Sequence, residues 1–141
     1  MRLVLDTNVV VAGLLWHGAP RRLIDLAIDD ETITLYSSPV LIAELANTLG
    51  YQRFVKRIAL FETSIAALVA QYEAMVTLAS PTNTPRVVAS DPDDDHVIAY
   101  AVAANAKSIV SGDKHLLTIK SHQNILILAP ADALGFIEAN K

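Results

Sequence analysis

No cysteine occurs in this chain. Disulfide staples and thiolate metal sites are thereby excluded, and an intracellular, cytoplasmic protein is the natural expectation. Charge is scarce: charged residues make up 18% of the chain and apolar ones 52%, the balance of a folded protein and not of a disordered one. Positive charge is in deficit, and a net charge of −4 offers no broad basic face for gripping nucleic acid. An acidic chain can still cut RNA if metal ions neutralise its acids at the site. Long apolar runs are missing too. Val9 to Trp16 is too short for a secretory core or a bilayer span, and Met-Arg-Leu-Val-Leu-Asp leaves no room for a charged leader, so no membrane association is expected. A length of 141 residues suits one domain over 1–141. The apolar share is high for that size. It points either to a subunit interface, hence a dimer, or to a core rich in Ala and Val.

What is present reads as strands alternating with helices. Arg2 to Leu5 is a short buried run ending at Asp6, and Thr7 to Leu15 follows as a turn into a helix. Pro20 begins a second helix that stops at Asp29-Asp30-Glu31, before a β-branched and aromatic strand from Thr32 to Tyr36. Ser38-Pro39 is an N-cap followed by proline at the first helical position; Leu41, Leu45 and Leu49 form the stripe and Gly50 the stop. Phe61, Ile65, Leu68, Val69, Tyr72 and Met75 predict another helix, then a strand from Val76 to Ala79. Ser80 to Pro92 is loop-rich. Asp95 opens a helix with Val97, Ile98, Ala101 and Val102 inward. Ser108 to Ser111, Asp113 to Thr118, Ile125 to Leu128 and a helix from Pro130 complete the pattern. The fold class is α/β: a central, mostly parallel sheet of about four to five strands flanked by helices.

In such a sheet ligands bind beyond the carboxyl ends of the strands. Asp6 terminates the first strand, Asp113 follows the fourth, Asp95 opens the helix after the third, and Glu44 sits in the second turn of the helix after the second. These four carboxylates belong to one sheet edge, although their lateral order is open. Four acids in one crevice need a cation to stay ionised together. Hard oxygen donors suit Mg²⁺ or Mn²⁺, and the chemistry such ions support is phosphodiester hydrolysis. Each acid also has a plainer reading. Asp6 and Asp113 are possible helix caps, Glu44 a possible exposed helix residue, and Asp91-Pro92-Asp93-Asp94-Asp95 a possible solvated turn. Four coincidences at one edge are less probable than one site. Asn8 is a candidate to orient Asp6, unless it serves only the turn. Lys114, Lys107, Arg53 and His96 are candidate phosphate contacts in no recognisable run.

The same residues resemble the PIN domain family. Leu3-Val-Leu-Asp-Thr-Asn-Val9 is similar to its opening strand with Asp6, and Ser38-Pro39-Val40 through Glu44-Leu45 to the helix carrying its glutamate. Asp91 to Asp95, followed by His96-Val97-Ile98-Ala99, resembles the third acidic motif, with Asp95 as the principal acid and Asp94 in support. Ile109-Val110-Ser111-Gly112-Asp113-Lys114 resembles the fourth, with Asp113 as its acid and Ser111 as the preceding hydroxyl. One departure is His115, where the most similar subgroup, the toxins of VapC-like toxin–antitoxin pairs, often has a second aspartate. The resemblance implies a Mg²⁺-dependent endoribonuclease, a homodimer, and a small cognate antitoxin. A PIN-like module that binds RNA or protein without cutting is the alternative. A receiver domain needs an acid after Val76 to Ala79 that is not there, and a haloacid-dehalogenase phosphatase needs a second aspartate where Asn8 stands.

Overall fold

A computed structural model describes residues 1–78 and 92–140, with side chains described for 1–78 and 97–140. Among them, six strands form one sheet: β1 (Arg2–Leu5), β2 (Thr34–Ser37), β3 (Val76–Leu78), β4 (Ser108–Val110), β5 (Ser121–His122) and β6 (Ile125–Leu128). Their order is β3-β2-β1-β4-β6-β5, parallel throughout except for β5, which pairs antiparallel with β6. The sheet therefore has one strand more than the expected four or five. The extra one, β5, is two residues long and carries no hydrophobic run of its own.

The helices are α1 (Thr7–Leu15), α2 (Ala19–Asp29), α3 (Pro39–Leu49), α4 (Val55–Leu60), α5 (Ile65–Met75), α6 (Pro92–Ala103), α7 (Lys114–Leu117) and α8 (Pro130–Ala139), with a 3₁₀ turn at Gln52–Phe54 before α4. Alternation in β1 explains why they cover both faces. Leu3 and Leu5 join a core with Val9, Leu23, Leu45, Leu68 and Ile137, whereas Val4 points the other way, toward Ile98, Ile109 and Leu116. Central strands buried on both sides are largely apolar, so β1 carries Leu3-Val4-Leu5 and β4 Ile109-Val110 as consecutive apolar residues.

Local chemistry sets several boundaries. Ser38 caps α3 by accepting from Leu41 N at 3.0 Å, as the Ser-Pro pair predicts. Strand β2 starts two residues later than expected, because Asp30 Oδ1 takes Thr32 N and its hydroxyl into a turn. Gly18 enters α2 with φ +135°, a conformation that L side chains rarely adopt. Gly13 lets α1 and α2 approach closely: a Cβ there would lie 2.5 Å from Ile24 Cδ1 and 3.1 Å from the Pro20 backbone.

Three expectations need correction. Phe61 does not belong to the α5 stripe; it ends α4 and is 49% exposed, since the chain turns through Glu62 (φ +52°) before Ser64 caps α5. Val102 is exposed and not inward, while Val97, Ile98 and Ala101 are buried as expected. Helix α6 begins at Pro92, three residues before Asp95, because proline's fixed φ suits a first helical turn. The expected loop from Ser80 to Pro92 lies outside the described residues except for Pro92, which starts α6; Ala79 and the side chains of Asp93, Asp94, Asp95 and His96 lie outside them too.

Candidate active site

The crossing from β1 through β2 and β3 fills one side of β1, and β4 then pairs on its other side. The chain thus reverses its direction of sheet growth between β1 and β4, where a doubly wound sheet opens a crevice at its carboxyl edge. Leu5 is paired with Val110, so Asp6 and Ser111 emerge side by side, and Asp6 N–H donates to the Val110 carbonyl at 2.9 Å. The lateral order left open by the sequence is decided here.

Asp6 is buried at 8% exposure. Its Oδ1 accepts from Thr7 N at 2.9 Å, and its Oδ2 accepts from the Ser111 hydroxyl at 2.8 Å. Ser111 is fully buried, and its Oγ accepts in turn from Asp113 N at 3.0 Å. One hydroxyl therefore ties the acid at the end of β1 to the loop that carries the acid after β4. Asp113 Oδ1 accepts from His115 N at 2.8 Å and caps α7. The capping and site readings of Asp6 and Asp113 are not exclusive: a helix N-terminus holds the carboxylate in place with N–H groups and a favourable dipole.

Glu44 comes from α3. Its Oε2 accepts from the Thr7 hydroxyl at 3.2 Å, which fixes it next to the N-terminus of α1. Asp6, Thr7, Asn8, Glu44, Asn47, Thr48, Tyr51, Arg53, Val97 and Asp113 surround one cavity of about 390 Å³. Three of the four predicted acids thus share a cavity. The fourth, Asp95, and its neighbour Asp94 lie on the first turns of α6 with side chains outside those described.

The convergence is looser than a finished metal centre. Among the described residues no three His, Cys, Asp or Glu side chains stand close enough together to hold a metal ion. Asp6, Glu44 and Asp113 each have oxygens turned toward the donors just named, so they ring the cavity instead of meeting at one point. Their donor chemistry still fits a hard divalent cation: carboxylate, amide and hydroxyl oxygens, with no thiolate and no imidazole among the described residues of the wall.

Sequence reasoning missed Thr7, Asn47, Thr48 and Tyr51. Asn47 and Thr48 follow Glu44 at i+3 and i+4, the spacing that puts them on its helix face, so periodicity counted from the acid would have found them; Tyr51 lies beyond the end of α3 and only the turn after Gly50 brings it to the cavity. Among the candidate cations, Arg53 lines the cavity and Lys114 does not. Lys107 is a correction. Its N–H donates to the Arg2 carbonyl at the amino end of β1, so it belongs to the opposite edge of the sheet. His115 is an exposed helix residue. No helix among the described residues is long and apolar enough to cross a membrane.

Three comparisons bear on this arrangement. A family model described as PIN domain matches residues 2–115. An uncharacterized protein of Methanocaldococcus jannaschii is 28% identical over 130 residues, covering 89% of this chain and 79% of that protein. The crystal structure of VapBC2 from Rickettsia felis, bound to a DNA fragment from their promoter, superposes with a TM-score of 0.60 at 15% identity. It covers 90% of this chain and 97% of that one, and supports a shared fold.

Proposed function

The chain belongs to the PIN domain family, and from that premise we propose that it is a metal-dependent endoribonuclease, the toxin of a toxin–antitoxin pair. The observation that carries this reading is the shared cavity of Asp6, Glu44 and Asp113 at the β1–β4 crevice. Asp95 is the fourth proposed ligand and Asp94 its support, both on the first turns of the helix whose Val97 lines the same cavity. Mg²⁺ or Mn²⁺ bound there would supply a water of lowered pKa and positive charge beside the scissile phosphate.

The protein's own residues prepare that site. Thr7 N and the Ser111 hydroxyl hold Asp6 with both oxygens on defined donors. Ser111 also holds the backbone of Asp113, and Thr7 steadies Glu44. Asn8 is exposed on the cavity wall, and its proposed role is to orient Asp6 or its bound water. Hydrolysis adds water across one P–O bond of the RNA, leaving a phosphate monoester and a free hydroxyl.

The toxin role is supported by the fold shared with the VapBC2 structure and by the motif resemblance. A small cognate antitoxin is the partner this implies, with the cytoplasm as the place where RNA and antitoxin are met. A homodimer is proposed from the apolar excess and from large exposed apolar side chains such as Ile28, Leu60 and Val55. One observation favours a PIN-like module that binds RNA without cutting it: the absence of a ready-made three-residue cluster among the described residues.

Incubating the purified chain with single-stranded RNA and, separately, DNA, with Mn²⁺ or with chelator, tests the reading. Expected are metal-dependent cuts in RNA and a melting temperature that rises with Mn²⁺, by the equivalent of about 2.7 kcal/mol at a hundredfold excess over Kd. RNA binding with no cleavage in any divalent ion would establish the binding module instead.

A further inference from the structure

The stretch between Glu44 and Glu62 contains no carboxylate but carries Arg53, Lys56 and Arg57, an unusual run in a chain of net charge −4. Two of these cations are interleaved with rings. The Arg53 guanidinium lies 5.5 Å from the Tyr51 ring centre and 4.9 Å from that of Phe54. Phe54 meets Trp16 edge to face at 6.0 Å, and Arg57 lies 5.2 Å from Trp16 and 4.8 Å from Phe61. Rings and guanidinium groups thus run unbroken from Tyr51 to Phe61.

The row has a direction. At one end Tyr51 and Arg53 line the carboxylate cavity; at the other, Trp16 and Phe61 border an apolar hollow of about 290 Å³. Burial distinguishes its parts. Phe54 is buried and anchors the row, whereas Tyr51, Trp16 and Phe61 are 52%, 42% and 49% exposed. Arg57 is further fixed by donating Nε to the Leu15 carbonyl at 2.7 Å. Here each outer ring is still about half open to solvent, and the row is continuous with the cavity.

We propose that this row is a track for single-stranded RNA leading to the carboxylate cavity, with Tyr51, Trp16 and Phe61 as stacking platforms and Arg53 and Arg57 as phosphate contacts. The identity of the strand as substrate rests on the nuclease reading above. Every base has a face that stacks on an aromatic ring, and every nucleotide carries a phosphate, so alternating rings and cations hold a strand whatever its sequence. A local cationic stretch also answers the difficulty posed by the net charge: the strand is held beside the acids, by groups that do not compete with them for metal.

The test is fluorescence anisotropy with a labelled twelve-nucleotide RNA of mixed sequence, in Mg²⁺, using the full chain carrying Asp113→Asn so that the probe stays intact. Adding Tyr51→Ala or Trp16→Ala is expected to weaken binding about 5- to 100-fold each, while Tyr51→Phe and Trp16→Phe stay within about twofold. Arg53→Ala should lower the slope of log affinity against log salt by about 0.7, the value for one phosphate of a single strand that is no longer neutralised. Unchanged affinity in all the alanine variants overturns the track, as does a parent chain that binds no RNA. So does a loss of dimer mass in Trp16→Ala with RNA affinity intact, which makes the row an interface between copies of this chain. The two readings separate cleanly. A chain that binds through these residues but never cuts keeps the track and loses the nuclease, and a chain that cuts RNA with every variant binding normally does the reverse.

Discussion

Asp113→Asn is the most informative single change, because the structure separates the two jobs of that side chain. As the cap of α7, Asp113 contributes one oxygen to His115 N at 2.8 Å. Asparagine caps about as well as aspartate, so the amide should keep this bond and alter stability by less than about 0.5 kcal/mol. Removing negative charge from a cavity that also contains Asp6 and Glu44 relieves repulsion in the metal-free protein and pushes any change toward stabilisation. Asp113→Ala, by contrast, loses the cap and should cost about 0.5–2 kcal/mol. As a metal ligand, either variant should lose activity alike. A preorganised electrostatic contact of this kind is worth about 10²–10³ in rate, or roughly 3–4 kcal/mol of barrier. Urea denaturation of the metal-free proteins and Mn²⁺-dependent cleavage of a fluorogenic RNA read the two jobs separately. Wild-type cleavage by Asp113→Asn would falsify the catalytic assignment. Equal destabilisation by Asn and Ala would show that the charge, and not the oxygen, holds the cap.

Three further outcomes are expected. Ser111→Ala removes the hydroxyl that joins Asp6 to the Asp113 backbone; it should cost about 1–3 kcal/mol and lower kcat about 10- to 100-fold, and unchanged kinetics would show that Asp6 needs no such positioning. Gly13→Ala should destabilise by about 1–3 kcal/mol, since the new methyl meets Ile24 and the Pro20 backbone where α1 and α2 touch; an unshifted urea midpoint would mean that the helices part freely. Tyr72 is buried, its hydroxyl has no hydrogen-bond partner among the described residues, and burial pushes its phenol above the ordinary value of 10.0. Tyr72→Phe should therefore be neutral or stabilising near pH 7. Above pH 10 the unfolded wild type releases a proton that the folded state keeps, so wild-type stability should fall by up to about 1.4 kcal/mol per pH unit relative to the variant. Parallel curves for the two proteins up to about pH 11 would refute this.

The sequence by itself determined the elements whose causes are local. Consecutive apolar residues marked β1 and β4, because only a strand covered on both faces buries every side chain. Ser38-Pro39 marked the start of α3 through its own hydroxyl and ring, and the acids at strand ends marked the carboxyl edge of the sheet, where the candidate site lies. Weakly patterned pieces stayed hidden. A two-residue strand such as β5 has no period to read, and the 3₁₀ turn and α4 are too short for a stripe. Phe61 and Val102 fell on apolar periods but stand in solvent, since a period cannot say where a helix stops or which neighbour covers it. Tertiary structure alone decided that β1 and β4 are neighbours, because strand order is set by which faces the helices can cover and not by any single segment. From that pairing follows the Ser111 bridge between Asp6 and Asp113, 105 residues apart for one of its bonds and two for the other. It also sends Lys107 to the far edge, while the pairing of β1 with β2 and the packing of α1 on α3 bring Thr7 to Glu44. Residue type told which groups hold charge; only strand register and helix packing told which of them share a cavity.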